Sequence, residues 1–146
     1  MLYCDTGFLV SLHSRDANTD NAIAFIMHQE KQSLVWTWLH DLEFSNAMRL
    51  RVFRKEISEI ECRKVLMDID SLLVSHRYER VAVSPIRATE EAKWLSEVHT
   101  MTLGIRSLDI FHVAQALVLG VRDFLTFDKR QTDLAKAAGL QVPISG

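Results

Sequence analysis

Glycine and proline are scarce in this chain, at 5 and 2 of 146 residues. That excludes long Gly/Ser linkers and proline-rich spacers, and with them a string of loosely tethered modules. Cysteine is also scarce. Cys4 and Cys62 match no zinc or redox spacing, so they read as free structural thiols in a reducing compartment. No apolar run approaches the ~18 residues of a membrane span, and Asp5 arrives before a signal-peptide core can form. The expectations are a cytoplasmic location and no membrane partner. Charge of one sign is lacking too: 17 Lys+Arg stand against 19 Asp+Glu, for a net charge of −2. Such a balance does not mark a general nucleic-acid binder, although a local basic face suffices for one.

What is present is an ordinary soluble composition, 48% hydrophobic and 25% charged. The length suits one domain, residues 1–146, with a substantial core. Apolar spacing alternates between strand-like and helix-like. Strands are expected at Leu2 to Asp5, Ser33 to Thr37, Val81 to Val83 and Phe124 to Thr126, with a last short one at Leu140 to Pro143. Helices are expected at Phe8 to His13, Asn21 to Glu30 and Asp41 to Phe53. A fourth opens at the capping box of Ser58 and Glu61, a fifth follows Pro85, a sixth starts at Ser107, and a seventh stops at Gly139. The pattern predicts an α/β fold: a central, mainly parallel sheet of four to five short strands flanked by about seven helices.

Four acids stand at the edges of apolar runs: Asp5, Glu43, Asp109 and Asp128. Asp5 and Asp128 follow strands, and open α/β sheets bind ligands beyond the carboxyl ends of their strands. Asp109 falls in the first turn of a helix, where the backbone favours an anion. Glu43 lies in the first turns of its own helix and can reach the same edge. Each acid also has a simpler reading. Asp5 and Asp128 can cap helices, Asp109 can serve the helix dipole, and Glu43 can be a solvated helix residue beside Asp41.

The segments Tyr3-Cys4-Asp5-Thr6, Leu42-Glu43-Phe44-Ser45-Asn46-Ala47, Arg106-Ser107-Leu108-Asp109-Ile110-Phe111-His112-Val113-Ala114 and Leu125-Thr126-Phe127-Asp128-Lys129-Arg130 occur in that order along nearly the whole chain. With them the sequence resembles the PIN-domain ribonucleases, most of all the VapC-type toxins of bacterial toxin–antitoxin pairs. The resemblance implies that Asp5, Glu43, Asp109 and Asp128 form a catalytic acidic pocket for Mg²⁺ or Mn²⁺, supported by Thr6 and Thr126. It implies hydrolysis of RNA phosphodiester bonds, a small VapB-like antitoxin as partner, and a homodimer. Gly7 departs from the serine that many members carry. The chemistry agrees: hard divalent cations prefer oxygen ligands, and they offset charge on phosphoryl oxygens.

Arg49, Arg54, Lys129 and Arg130 are candidate contacts to the RNA backbone, each also readable as a solvated surface charge. His112 shares a helix face with Asp109, and a buried histidine is its simpler role. Trp36, Trp38 and Trp94 read as core or interface residues rather than base-stacking platforms. Asp5-Thr6-Gly7 also matches an aspartic-protease signature, which belongs in an all-β fold that this pattern excludes. The main alternative is a catalytically inactive PIN-like module that binds RNA or protein.

Overall fold

Successive residues of a strand face opposite sides of a sheet, and here that alternation builds two cores. Tyr3, Val35 and Phe124 point to one side, while Leu2, Cys4, Leu34, Trp36 and Leu125 point to the other. The computed structural model describes residues 1–29 and 31–144. In chain order the elements are β1 (Tyr3–Cys4), α1 (Thr6–His13), α2 (Thr19–Met27), β2 (Leu34–Trp36), α3 (Trp38–Phe53) and α4 (Glu59–Val74). They continue with β3 (Tyr78–Arg80), α5 (Pro85–Leu103), α6 (Ser107–Val118), β4 (Phe124–Leu125) and α7 (Lys129–Ala137).

Both strand pairs are parallel: β1 with β4, Tyr3 opposite Phe124, and β2 with β3, Leu34 opposite Tyr78. A parallel bridge from Leu2 to Leu34 joins the pairs, giving the spatial order β3-β2-β1-β4. The expected α/β class is therefore what forms, with parallel strands and seven helices among the described residues. Helices α1 to α4 cover one side, where Phe8, Phe44, Met48, Cys62 and Ile69 are buried with Trp36 and Tyr78. Helices α5 to α7 cover the other, where Leu95, Ile110, Val113, Ala114, Ala116, Leu134 and Ala135 are buried. Both thiols are free and buried.

Several boundaries differ from the sequence pattern. The third strand is Tyr78–Arg80, not Val81 to Val83. It is an edge strand whose Glu79 and Arg80 face solvent, so it lacks the apolar run that marks a buried strand; Val81 only ends the ladder by donating to the Trp36 carbonyl (2.9 Å). The last strand shrinks to one bridge, Asp123 to Gln141. Helix α3 starts at Trp38 because Thr37 caps it: the His40 ring accepts the Thr37 N–H at 2.9 Å. Helix α2 ends at Met27, and the expected end at Glu30 lies outside the described residues.

Candidate functional site

The carboxyl ends of β1 and β4 lie side by side, and each hands its next residues to a helix start. Asp5 follows β1 and caps α1, its Oδ1 accepting the Phe8 N–H at 2.6 Å. Asp128 caps α7, its Oδ1 accepting the Gln131 N–H at 2.9 Å. The capping reading of both acids is thus correct, and it does not remove them from the cleft. A cavity of about 700 Å³ opens at this edge, and Asp5, Glu43, Asp109 and Asp128 all line it with Thr6, His112 and Gln131.

Asp5 is 2% exposed and is held from three sides. Besides the Phe8 N–H, its Oδ2 accepts the Thr126 hydroxyl at 2.7 Å and the Gln131 amide at 2.8 Å. Thr126 is itself fixed, accepting the Asp128 N–H at 2.9 Å. Burial pushes the Asp5 carboxyl up, against the opposing pull of the Phe8 and Thr126 hydrogen bonds. Gln131 also reaches Asp109 Oδ1 at 3.3 Å, so one amide bridges two carboxylates. The half-buried Asp109 is raised as well, first by desolvation and then by the Asp128 charge.

Glu43 comes from α3 on the opposite wall. Its Oε2 accepts the Thr6 hydroxyl at 2.9 Å and lies 2.5 Å from His112 Nε2. Burial alone would raise this carboxyl, but the hydrogen bonds from His112 and the Thr6 hydroxyl hold it below its ordinary value. Behind His112 the polar contacts continue inward to the buried Tyr3. A second buried imidazole, His40, stands 5.2 Å from His112 and is pushed down to about 3, chiefly by desolvation.

The basic candidates separate. Arg54 lines the cavity; Arg49, Lys129 and Arg130 do not. Lys129 pairs with Asp133 (2.7 Å), and Arg130 donates to the Gly104 carbonyl (3.3 Å). Arg51 and Arg106 line the cavity instead. Arg51 is already engaged, its Nε 3.0 Å from Glu56 and its fork donating to the Ser14 and Arg15 carbonyls. Helical spacing holds the signal for both α3 arginines: Arg51 and Arg54 lie eight and eleven residues after Glu43 on one face, whereas Arg49 points elsewhere. Tyr3 and Gln131 carry no such signal, since Tyr3 reaches His112, and the Gln131 side chain reaches Asp5 and Asp109, only through tertiary contact.

The PIN domain family model matches residues 2–137. The chain belongs to the PIN domain family. A solved structure with the same PIN fold, FitAcB from Neisseria gonorrhoeae, superposes with a TM-score of 0.65 over 97% of this chain and 96% of that one, at 15% sequence identity. No curated protein matches the sequence.

The donor set of this PIN domain fits a hard cation that keeps part of its water shell. Its groups are carboxylates around an open, polar cavity, and two of them are raised by desolvation, Asp109 also by a neighbouring acid, so added positive charge is favoured there. Among the described residues, no three His, Cys, Asp or Glu side chains are gathered closely enough to cage a bare ion. Protein donors from Thr6, Thr126, Gln131 and His112 take up carboxylate oxygens instead.

Proposed function

We propose that this PIN domain is an Mg²⁺- or Mn²⁺-dependent endoribonuclease, acting as the toxin of a toxin–antitoxin pair. PIN domains are generally nucleases, and this chain belongs to that family. The observation that carries the reading is the meeting of Asp5, Glu43, Asp109 and Asp128 around one cavity, from segments spread over the chain. The four acids would hold the cation, with water completing its shell. Such a cation supplies Lewis acidity toward phosphoryl oxygens and a nucleophile from water at neutral pH. Asp5, fixed by three donors, anchors the set, while Thr126 and Gln131 keep its Oδ2 oriented. Glu43 and Asp109, which both line the cavity, would accept protons leaving the attacking water. Arg54 and Arg106, both exposed at the cavity, are placed to pair with phosphates and hold the RNA. Arg49, Lys129 and Arg130 would meet only RNA that runs beyond the cleft.

On the same reading the protein works in the cytoplasm as a homodimer and is restrained by a small VapB-like antitoxin. No helix among the described residues is long and apolar enough to cross a membrane. The second reading, a PIN-like RNA- or protein-binding module without catalysis, draws on the protein donors already seated on the acids. One experiment separates them. Purified protein is titrated with Mn²⁺ and incubated with RNA, with and without chelator, beside Asp109→Asn. Metal-dependent cleavage that vanishes in Asp109→Asn supports the nuclease. RNA binding with no Mn²⁺ uptake and no cleavage supports the binding module.

A further inference from the structure

A file of buried polar groups runs from the core to Glu43, and the proposed chemistry makes no use of its inner members. Tyr3 is fully buried and stacks on Phe124 with centroids 5.6 Å apart, a place that phenylalanine would fill as well. Its hydroxyl nevertheless lies 3.0 Å from His112 Nδ1 and 3.2 Å from Gln115 Oε1. His112, 2% exposed, sets Nε2 2.5 Å from Glu43 Oε2. A phenol this deep is costly unless its hydroxyl is satisfied.

Proton bookkeeping orders the file. His112 Nε2 faces a carboxylate oxygen that can only accept, so Nε2 carries the hydrogen. In its neutral form the imidazole has only that N–H, which leaves Nδ1 as an acceptor and makes the Tyr3 hydroxyl its donor. Tyr3 Oη then needs a donor of its own. Gln115 Nε2 is buried without a partner among the described residues. Turning the terminal amide brings that nitrogen to Tyr3 Oη and gives the hydroxyl its donor. Donation then runs in one direction, from Gln115 to Tyr3 to His112 to Glu43. His40 does not compete, because its Nε2 donates to the Cys4 carbonyl (2.8 Å) and its Nδ1 accepts from Thr37 (2.9 Å).

We propose that Tyr3 and His112 are positioning residues: they lock one imidazole tautomer, which with Thr6 ties Glu43 Oε2 to the protein and presents Oε1 to the cavity. Hydrogen-bond partners behind a ligating side chain fix its orientation and sharpen its affinity. The inference rests on the nuclease reading in that Glu43 must serve as a ligand. The hydrogen-bond order itself does not.

Two measurements test it. Long-range ¹H–¹⁵N spectra of the metal-free protein should show His112 with hydrogen on Nε2, and Tyr3→Phe should lose that single form. Mn²⁺ affinity, read from the signal of the free ion, should fall about 10- to 100-fold in His112→Leu. His112→Gln, whose amide nitrogen can stand in for Nε2, should recover much of the loss. Tyr3→Phe should weaken binding by a smaller factor. A purely structural histidine would not distinguish Gln from Leu in metal affinity at equal folding. Should His112→Leu fail to fold, Tyr3→Phe and His112→Gln still decide the matter. Hydrogen on Nδ1 in the wild-type protein, or Tyr3→Phe with the wild-type tautomer and Mn²⁺ affinity, overturns the inference alone. A wild-type protein that takes up no Mn²⁺ and cleaves no RNA overturns the proposed function, and the ligand-positioning role with it.

Discussion

The side of the sheet covered by α1 to α4 is filled with rings, whereas the side covered by α5 to α7 is filled with small side chains. On the first, Trp36 stacks on Tyr78 at 5.5 Å and meets Phe44 at 5.6 Å, with Phe8 against Phe127 at 5.2 Å. On the second, Ala92, Ala114, Ala116 and Ala135 are buried beside Val113 and Leu95, and Tyr3 and Phe124 enter from the strands. The buried polar side chains His112 and Gln115 of α6 and Gln131 of α7 come from the helices of the small-residue side. The ring side therefore carries more of the packing energy, at about 1.5–3 kcal/mol per buried large side chain. The small-residue side carries more of the positioning.

Asp5 stands between the two sides, and Asp5→Asn gives the largest expected effect. RNA cleavage should fall below detection while the fold persists, because Asn keeps the Oδ1 cap on Phe8 and removes a desolvated charge. Thermal stability should hold or rise. Cleavage at the wild-type rate by the folded variant would place the chemistry elsewhere.

Phe44→Ala should cost about 3–5 kcal/mol in urea denaturation, the usual toll of emptying a buried ring site. Acid should act through the histidines of the ring side and the centre. His13 packs on Phe44 and Tyr78 and is lowered to about 4, chiefly by burial; His40 is lowered to about 3. Unfolded, both take up protons near 6.5, so the unfolded state binds more protons below that value and stability falls as pH drops. By pH 5 the loss should approach about 2 kcal/mol for each histidine. The raised Asp5 and Asp109 oppose it, since the folded form there binds protons more readily than the unfolded one. Equal unfolding free energies at pH 7.5 and pH 5 in an Asp5→Asn, Asp109→Asn background, where the opposing carboxyls are gone, would show that the two imidazoles are not held neutral.

Ala116→Leu on the other side should cost about 1–3 kcal/mol by overpacking. For each kilocalorie lost, it should weaken Mn²⁺ binding more than Phe44→Ala does, because α6 carries Asp109 and His112. The reverse ranking would erase the division between packing and positioning. The smallest effect belongs to Gly7→Ser. A Cβ at residue 7 would meet Asp5 Oδ2 at 3.5 Å, an ordinary contact, so stability should rise by roughly 0.5 kcal/mol from helix propensity alone.

The sequence made the elements and the four acids legible because both depend on local signals. Period-2 and period-3.6 patterns mark the elements, and an acid at the end of an apolar run marks a strand end or a helix start. The edge strand Tyr78–Arg80 escaped because only one of its residues is buried. Tyr3 lies in the core, yet its hydroxyl reaches a histidine 109 residues away. Gln131 carries no local mark in the sequence, yet it is 5% exposed and bridges Asp5 and Asp109. Arg51 and Arg54 could have been separated from Arg49 by continuing the helical face of Glu43 along α3.

The pairing of β1 with β4 has a consequence for how the protein is made. Tyr3 must wait for Phe124, and Asp5 must wait for Thr126 and Gln131. A growing chain therefore carries Asp5, Glu43 and Asp109 well before it can seat the first of them. At synthesis rates of about 5–20 residues per second, the stretch from Asp109 to Gln131 takes on the order of a second or more. Until residue 131 has left the ribosome, the nascent polypeptide holds three acids and no closed pocket. The proposed RNA-cutting centre thus assembles only after the large RNA machine that makes it has passed Gln131.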